Sequence, residues 1–297
     1  MIDYNKLNIK TLNSGKLAAN LKITNGPPVL EHECIPFSSP QVTASLYGGI
    51  PFGFITEISG ADSGGKTTTC IDITKNAIEL FEREYLEEME RLLAIQKPTS
   101  AERKRLEYLE EMGPRRAVWY DSENTFDDRW ARDVLGCDPS KILFLTHEDD
   151  VGAEVIFTRF IELIDSEDVR VGLCIIDSIA NLQSSKAADQ DVTKSTMGGI
   201  AKPLAGFCSK LSSRLRPKKI VFIGVNQLRD QFNSQYPTTD TPGGRGWHHA
   251  AALRLICKKG SNFDEKYNEV AKSAPQRSGH IVEVSIRRTK VCSGDKP

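Results

Sequence analysis

Between Gly60 and Thr67 the chain fits the pattern G-x-x-x-x-G-K-[ST], with a strand-like apolar run before it and a helical pattern after it. A strand that passes straight into a helix through Gly60, Ala61, Asp62, Ser63, Gly64 and Gly65 turns consecutive backbone N–H groups inward. The helix opening near Lys66 adds the positive end of its dipole, and the result is a cradle for a phosphate chain. Lys66 is placed to reach the outer phosphates as a point charge, and Thr67 to offer its hydroxyl to a bridging Mg2+ ion. Gly60 to Thr68 is the expected nucleotide-phosphate site.

Composition sets the frame around that loop. With 297 residues, 39% of them hydrophobic, the chain can bury one large α/β core with appendages. A formal charge of −1, from 39 basic and 40 acidic residues, excludes a coat of positive potential, so any nucleic-acid contact has to be local to a groove or loop. The seven cysteines, Cys34, Cys70, Cys137, Cys174, Cys208, Cys257 and Cys292, contain no C-x-x-C pair, and several sit in apolar runs. That suits reduced thiols and makes a zinc site unexpected. Met1 to Lys6 lacks an apolar signal core and no apolar run is long enough to cross a bilayer, so a soluble, cytoplasmic protein with no membrane partner is expected.

Residues 1–45 read as an N-terminal arm, with short apolar touches from Leu7 to Ile23, a break at Gly26-Pro27-Pro28 and a short strand between Glu31 and Phe37. A subunit-pairing segment and a loosely ordered terminus both fit. Residues 46–297 read as the core. The helix after the phosphate loop carries Ile71, Ile73, Ala77, Ile78 and Phe81, then turns charged, with Phe81, Tyr85, Met89 and Leu92 on one face. Lys97-Pro98-Thr99-Ser100 interrupts it, Thr99 with Glu102 forms a capping box for a second helix, and Gly113-Pro114 stops that one. Residues 82–112 are therefore expected as a charged helical hairpin protruding from the core, either a solvated insertion or a docking site for a partner.

Four further apolar runs, Ala117 to Tyr120, Ile142 to Leu145, Leu173 to Ile176 and Ile220 to Val225, read as buried parallel strands. Helical patterns lie between them at Asp127 to Leu135 and Ala153 to Ile164. Alternation on this scale predicts an α/β fold, a doubly wound sheet with helices on both faces and its ligand at the strands' carboxyl ends. Ala251 to Cys257 and His280 to Ile286 are expected as antiparallel edge strands joined by the polar loop Gly260 to Ser278. His248-His249 reads as the start of a packed helix rather than a metal site.

The strand ends carry the informative polar residues. Val171 to Asp177 is an apolar strand closing on a carboxylate, the form of a second nucleotide-binding motif whose Asp orients the metal. Glu123 follows another strand and can polarise a water for in-line attack on a γ-phosphorus, while Asp121 reads as structural. Asn226-Gln227 ends a third strand with uncharged amides where an outer phosphate can be felt.

In this order the motifs resemble the RecA family of recombinases, over roughly Leu46 to Lys290. The resemblance implies a RecA-type P-loop ATPase core with a mostly parallel twisted sheet, and ATP and Mg2+ as cofactors. It makes Glu123 the catalytic glutamate, Asp177 the metal-associated aspartate beside Thr67, and Gln227 the γ-phosphate sensor. Asp127 and Trp130 fall where the family sets an Asp and an aromatic ring against adenine, Trp130 standing in for the expected tyrosine. Arg288 and Lys290 match a basic pair that reaches the neighbouring subunit's ATP. Ser184 to Gly199 and Asp230 to Gly246 are similar to the family's two DNA-binding loops. In and beside them Lys194, Arg229, Phe232, Tyr236 and Arg245, with Met197 at the end of the first loop, supply the cations and apolar surfaces that single-stranded DNA needs. Gly198, Gly199, Gly243, Gly244 and Gly246 let the backbone approach a phosphate.

Two departures stand out: the hairpin 82–112 is foreign to the family pattern, and the sequence stops at Pro297 without the small C-terminal domain many members carry. A bacterial or phage-like member fits both. The implied activity is ATP-dependent strand exchange between single-stranded DNA and homologous duplex DNA, in a filament or ring, with DNA-stimulated hydrolysis. A ring helicase and a protein-binding ATPase switch are the alternatives.

Overall fold

The computed structural model describes residues 33–146, 151–185, 199–231 and 238–291. A compact unit begins at Cys34. Its first elements are the strand pair β1 (Cys34–Ile35) and β2 (Ile50–Pro51), separated by helix α1 (Pro40–Ser45). Ser39 caps α1 and Pro40 pre-sets its first turn. Ile35 and Phe37 are buried among core residues, so residues 34–45 belong to this unit.

The centre of the fold is an eight-stranded sheet. Strands β3 (Ile55–Gly60), β4 (Arg116–Asp121), β5 (Ile142–Leu145), β6 (Val171–Asp177), β7 (Val221–Gln227) and β10 (Ala251–Phe263) run parallel in the order β10-β3-β7-β6-β4-β5. Antiparallel pairing is confined to β11 (Glu269–Val270) and β12 (Gly279–Thr289), both on β10. The two expected edge strands are present and antiparallel to each other; β10 itself is parallel to β3, so the change of direction falls between β10 and β12. β10 does not end at Cys257, because pairing with β12 continues to Phe263 opposite Gly279. Since β3 stops at Gly60, opposite Cys257, the rest of β10 and β12 overhangs the sheet's carboxyl edge as a ribbon.

Alternation along the strands separates two apolar faces. Trp119, Leu173, Ile175, Ile223 and Val225 pack with Ile71, Ile73, Ala77 and Phe81 of helix α2 (Lys66–Leu93). Val118, Cys174, Ile176 and Phe222 face the other way, onto helices α4 (Ala153–Asp165), α5 (Ala201–Lys218) and α6 (Gly244–Ala250). There Phe157 and Phe207 stack at 4.4 Å and Phe207 meets Phe222 edge-on.

Helix α5 was not anticipated, although Leu204, Phe207, Cys208, Leu211 and Leu215 form its buried stripe. Pro203 sits in its first turn, where a missing N–H has no intrahelical partner to lose, and Pro217 falls one residue before its end. The expected helix Asp127 to Leu135 is present over residues 128–134, its greater part a π-helical turn, Trp130–Val134. His248 and His249 lie in the last turn of α6, not at its start.

The hairpin consists of the far half of α2 and helix α3 (Ser100–Met112), with the expected Thr99–Glu102 capping box present. Arg105 joins Glu88 across it at 2.9 Å, and Leu92 and Leu109 are buried between the helices. Its base is held by Arg115, whose guanidinium lies 5.0 Å and 4.3 Å from the Phe52 and Phe81 rings. Arg115 also pairs with Glu84 at 2.5 Å and donates to the Lys219 carbonyl at 2.9 Å. Among the described residues, no helix is long and apolar enough to cross a membrane.

Candidate functional site

The carboxyl ends of β3, β4, β6 and β7 lie side by side. Gly60 pairs in register with Gln227, and Asp121 with Asp177. Between β3 and α2 the loop turns so tightly that a Cβ on Gly60 would stand 2.4 Å from the Cys257 carbonyl oxygen. Gly65 caps α2 with φ near +87°, a conformation glycine adopts without strain, and a Cβ there would strike Val282 of the overhanging ribbon at 2.5 Å. The glycines are therefore demanded by space as well as by the turn, and the cradle fits a phosphate chain.

Lys66 donates to the Ala61 carbonyl at 2.9 Å, folding its ammonium back over the loop. Ala61, Asp62 and Ser63 are exposed, Gly64 is buried, and Thr68 is half-buried on the first helical turn. Thr67 donates its hydroxyl to Asp177 at 2.7 Å, although 110 positions separate the two. Burial pushes the Asp177 carboxyl up to about 6; the Thr67 hydroxyl and Lys66 oppose the rise, and Glu123 and Asp121 add to it. One hydroxyl and one carboxylate, both hard oxygen donors, fit a magnesium ion, whose charge would favour the ionised form.

Glu123 arrives on a turn built by its neighbour. Asp121 accepts the backbone N–H groups of Glu123, Thr125 and Phe126 at 3.0, 2.7 and 2.7 Å, the structural role the sequence suggested. The Glu123 Oε1 atom then accepts the Ser178 hydroxyl at 2.8 Å and the Gln227 amide at 3.4 Å. Glu123, Asp177 and Gln227, from three strand ends, are thus gathered at one edge with Lys66 and Thr67. Asp127 accepts the Trp130 N–H at 2.9 Å and so starts the π-helical turn, leaving the Trp130 ring 44% exposed. Asp127 and Trp130 flank the same edge in sequence, three residues apart; no bond joins either of them to Glu123 or Lys66 among the described residues.

Arg288 and Lys290 occupy a different place. Arg288 donates to the His248 carbonyl at 3.1 Å and Lys290 to the His249 carbonyl, so both cations satisfy the carboxyl end of α6. Burial and the Arg288 charge hold the Lys290 ammonium below its ordinary range.

The segment after Gln227 is not one long loop. Leu228 donates to the Gly60 carbonyl at 3.3 Å, and β8 (Arg229–Gln231) pairs with β9 (Thr238–Asp240) as an antiparallel ribbon. The helix α6 begins at Gly244, so Gly244 and Arg245 lie on a first helical turn and Gly243 is its N-cap. Arg229 and Arg245 are exposed, and Gly199 sits in the turn that leads into α5. Lys194, Met197, Gly198, Phe232 and Tyr236 lie outside the described residues.

Beneath this segment is a polar cluster that sequence reasoning missed. Glu57, 0% exposed on β3, accepts Asn226 at 3.0 Å, Thr241 at 2.7 Å and the Trp247 indole at 2.7 Å, and is ion-paired with Arg254. Asn226 also donates to the Pro242 carbonyl at 2.8 Å. One carboxylate therefore ties β7 to the returning chain at Thr241 and to α6. The only signal in the sequence was a Glu in an otherwise apolar strand.

The RecA N-terminal domain family matches residues 108–291, more than half of the chain, beginning on α3 after the phosphate loop. The chain is 27% identical to Protein RecA of Fusobacterium nucleatum over 231 residues, which is 76% of this chain and 50% of that protein. To Protein RecA of Thermus aquaticus it is 26% identical over 266 residues, covering 89% of this chain and 65% of that one. Protein RecA of Symbiobacterium thermophilum is 25% identical over 265 residues, with 88% and 62% covered. The chain spans between half and two thirds of the length of these relatives.

Proposed function

Because this chain belongs to the RecA family, we propose that it is an ATP-dependent recombination protein that assembles on single-stranded DNA and promotes strand exchange with homologous duplex. The observation that carries the reading is the gathering of Lys66, Thr67, Asp177, Glu123 and Gln227 at one sheet edge, with the β8–β9 ribbon starting two residues beyond Gln227.

Bound ATP would supply the electrophilic γ-phosphorus, and Mg2+ would supply charge that offsets that of the phosphates. The chain's own groups do the rest. Gly60 to Thr68 hold the phosphates through main-chain N–H groups, with Lys66 as the point charge and Thr67 and Asp177 as metal holders. Asp127 and Trp130 hold the base. Glu123 accepts the proton of the attacking water. Gln227 turns its amide to an outer phosphate and so biases the ribbon that follows. Arg288 and Lys290 are proposed to act on a neighbour's nucleotide, which makes hydrolysis depend on assembly into a filament or ring. DNA is gripped by Arg229, Arg245, Gly199, Gly243 and Gly244, with Lys194, Met197, Gly198, Phe232 and Tyr236 completing the two loops. The proposed setting is the cytoplasm of a bacterial or phage-infected cell.

The test is ATPase rate with and without single-stranded DNA, with electron microscopy for filaments and a strand-exchange assay on homologous duplex. Stimulation by DNA, filaments and exchange are expected, and Lys66→Ala should abolish nucleotide-dependent DNA binding. A hydrolysis rate indifferent to DNA would sink the reading.

A further inference from the structure

Ser178 is 0% exposed, at the first position beyond β6. Its main chain is fixed by Ser122, whose hydroxyl accepts the Ser178 N–H at 2.8 Å and donates to the Ser178 carbonyl at 3.0 Å. The Ser122 N–H in turn donates to the Asp177 carbonyl at 2.7 Å. With the backbone pinned from both sides, the Ser178 side chain has a single hydrogen-bond partner among the described residues, Glu123 Oε1 at 2.8 Å. A buried hydroxyl with one direction available is an orienting group.

The same oxygen accepts the Gln227 amide, but at 3.4 Å, close to the limit of a useful hydrogen bond. Among the described residues no donor reaches the other oxygen, Oε2. Among the described residues the carboxylate is therefore held through one oxygen only. If Gln227 swings toward a phosphate it has to give up its weak bond to Glu123; Ser178 does not.

From this we infer that Ser178 is a positioning residue for hydrolysis: it keeps Glu123 aimed, with Oε2 as the oxygen that takes the proton of water, while Gln227 is engaged elsewhere. The inference rests on the reading of Glu123 as the base. Two strands are needed for it, since Ser178 follows β6 and Glu123 follows β4, and the register that sets Asp121 opposite Asp177 brings them together.

The experiment is a double-mutant cycle on DNA-stimulated ATP hydrolysis with Ser178→Ala and Glu123→Gln. Ser178→Ala is expected to lower kcat by roughly 10- to 100-fold with KM for ATP changed by less than about threefold, the split expected when an interaction acts in the transition state only. In the Glu123→Gln background the same change should cost less than about twofold. Ser178→Cys, which keeps a weak donor, should fall between serine and alanine, and it carries the cycle if the alanine variant does not fold. Equal losses in both backgrounds would mean a structural role and overturn the inference, as would an unchanged kcat in Ser178→Ala. Full activity of Glu123→Gln alone would instead remove the assignment of the base.

Discussion

Asp121 shows how much of a site can depend on a residue that touches no substrate. Its two oxygens take three backbone N–H groups over the turn that carries Glu123, and Asn124 within that turn has φ near +51°. Without the carboxylate those N–H groups lose their partner and the turn its shape, at about 1–3 kcal/mol for a charged acceptor. Asp121→Ala is expected to lower stability by about 2–3 kcal/mol and to reduce kcat at least tenfold, measured by urea unfolding and steady-state ATPase. An unaltered kcat would show that Glu123 does not rely on this turn. The cysteines tell a simpler story. Cys70, Cys174, Cys208 and Cys257 are buried, and burial pushes their thiols up, Cys208 to about 12, so these are packing groups held in the protonated form.

At the scale of elements, the informative comparison is between the strands that were legible and the pieces that were not. The cores of β4, β6 and β7 were readable because strands buried on both faces are continuous apolar runs, and Ile142–Leu145, half-buried at the sheet edge, was readable from its unbroken apolar composition. Helix α5 was harder to read because Pro203, Gly206 and Pro217 interrupt its pattern, although its stripe from Leu204 to Leu215 has helical spacing. The antiparallel pairing of β10 with β12 was legible, but not that β10 runs parallel to β3, because an apolar run does not state its direction and only pairing decides it. The Glu57 cluster belongs here too, since it joins β3, β7, β10 and α6. Glu57→Ala removes the nearest counter-charge of Arg254, 6% exposed, leaving it the longer pairing with Asp240 at 3.8 Å and the Thr241 hydroxyl, and should cost about 3 kcal/mol in denaturant unfolding. The paired change Glu57→Leu with Arg254→Met should recover much of that stability, yet weaken DNA stimulation of the ATPase, because it releases Thr241 and Asn226. Full DNA stimulation in the stable double variant would show the cluster to be a fastening only.

On the scale of the whole molecule, the hairpin of α2 and α3 is continuous with the helix that opens at the phosphate loop, so the two move as one element for as long as α2 stays unbroken. Arg115 fixes its base by two ring contacts, an ion pair and a carbonyl bond to Lys219. Arg115→Ala should cost about 2–4 kcal/mol. It should lower the urea midpoint without changing the m-value, the sign of lost stability in a fold that still unfolds as one unit. A second transition would mean that the hairpin melts separately.

Sequence alone determined the tight turn between β3 and α2, because Gly60, Gly65, Lys66 and Thr67 stand at the fixed spacing that a phosphate cradle needs, and that geometry is local. It also determined that Asp177 and Gln227 end strands and that Glu123 follows one. Tertiary structure alone decided that Ser178 and Gln227 share one oxygen of Glu123, that Arg288 and Lys290 cap α6, and that Glu57 gathers four elements. Those contacts join residues 40 or more positions apart, and which of them meet depends on strand order and register, which no short stretch of chain contains.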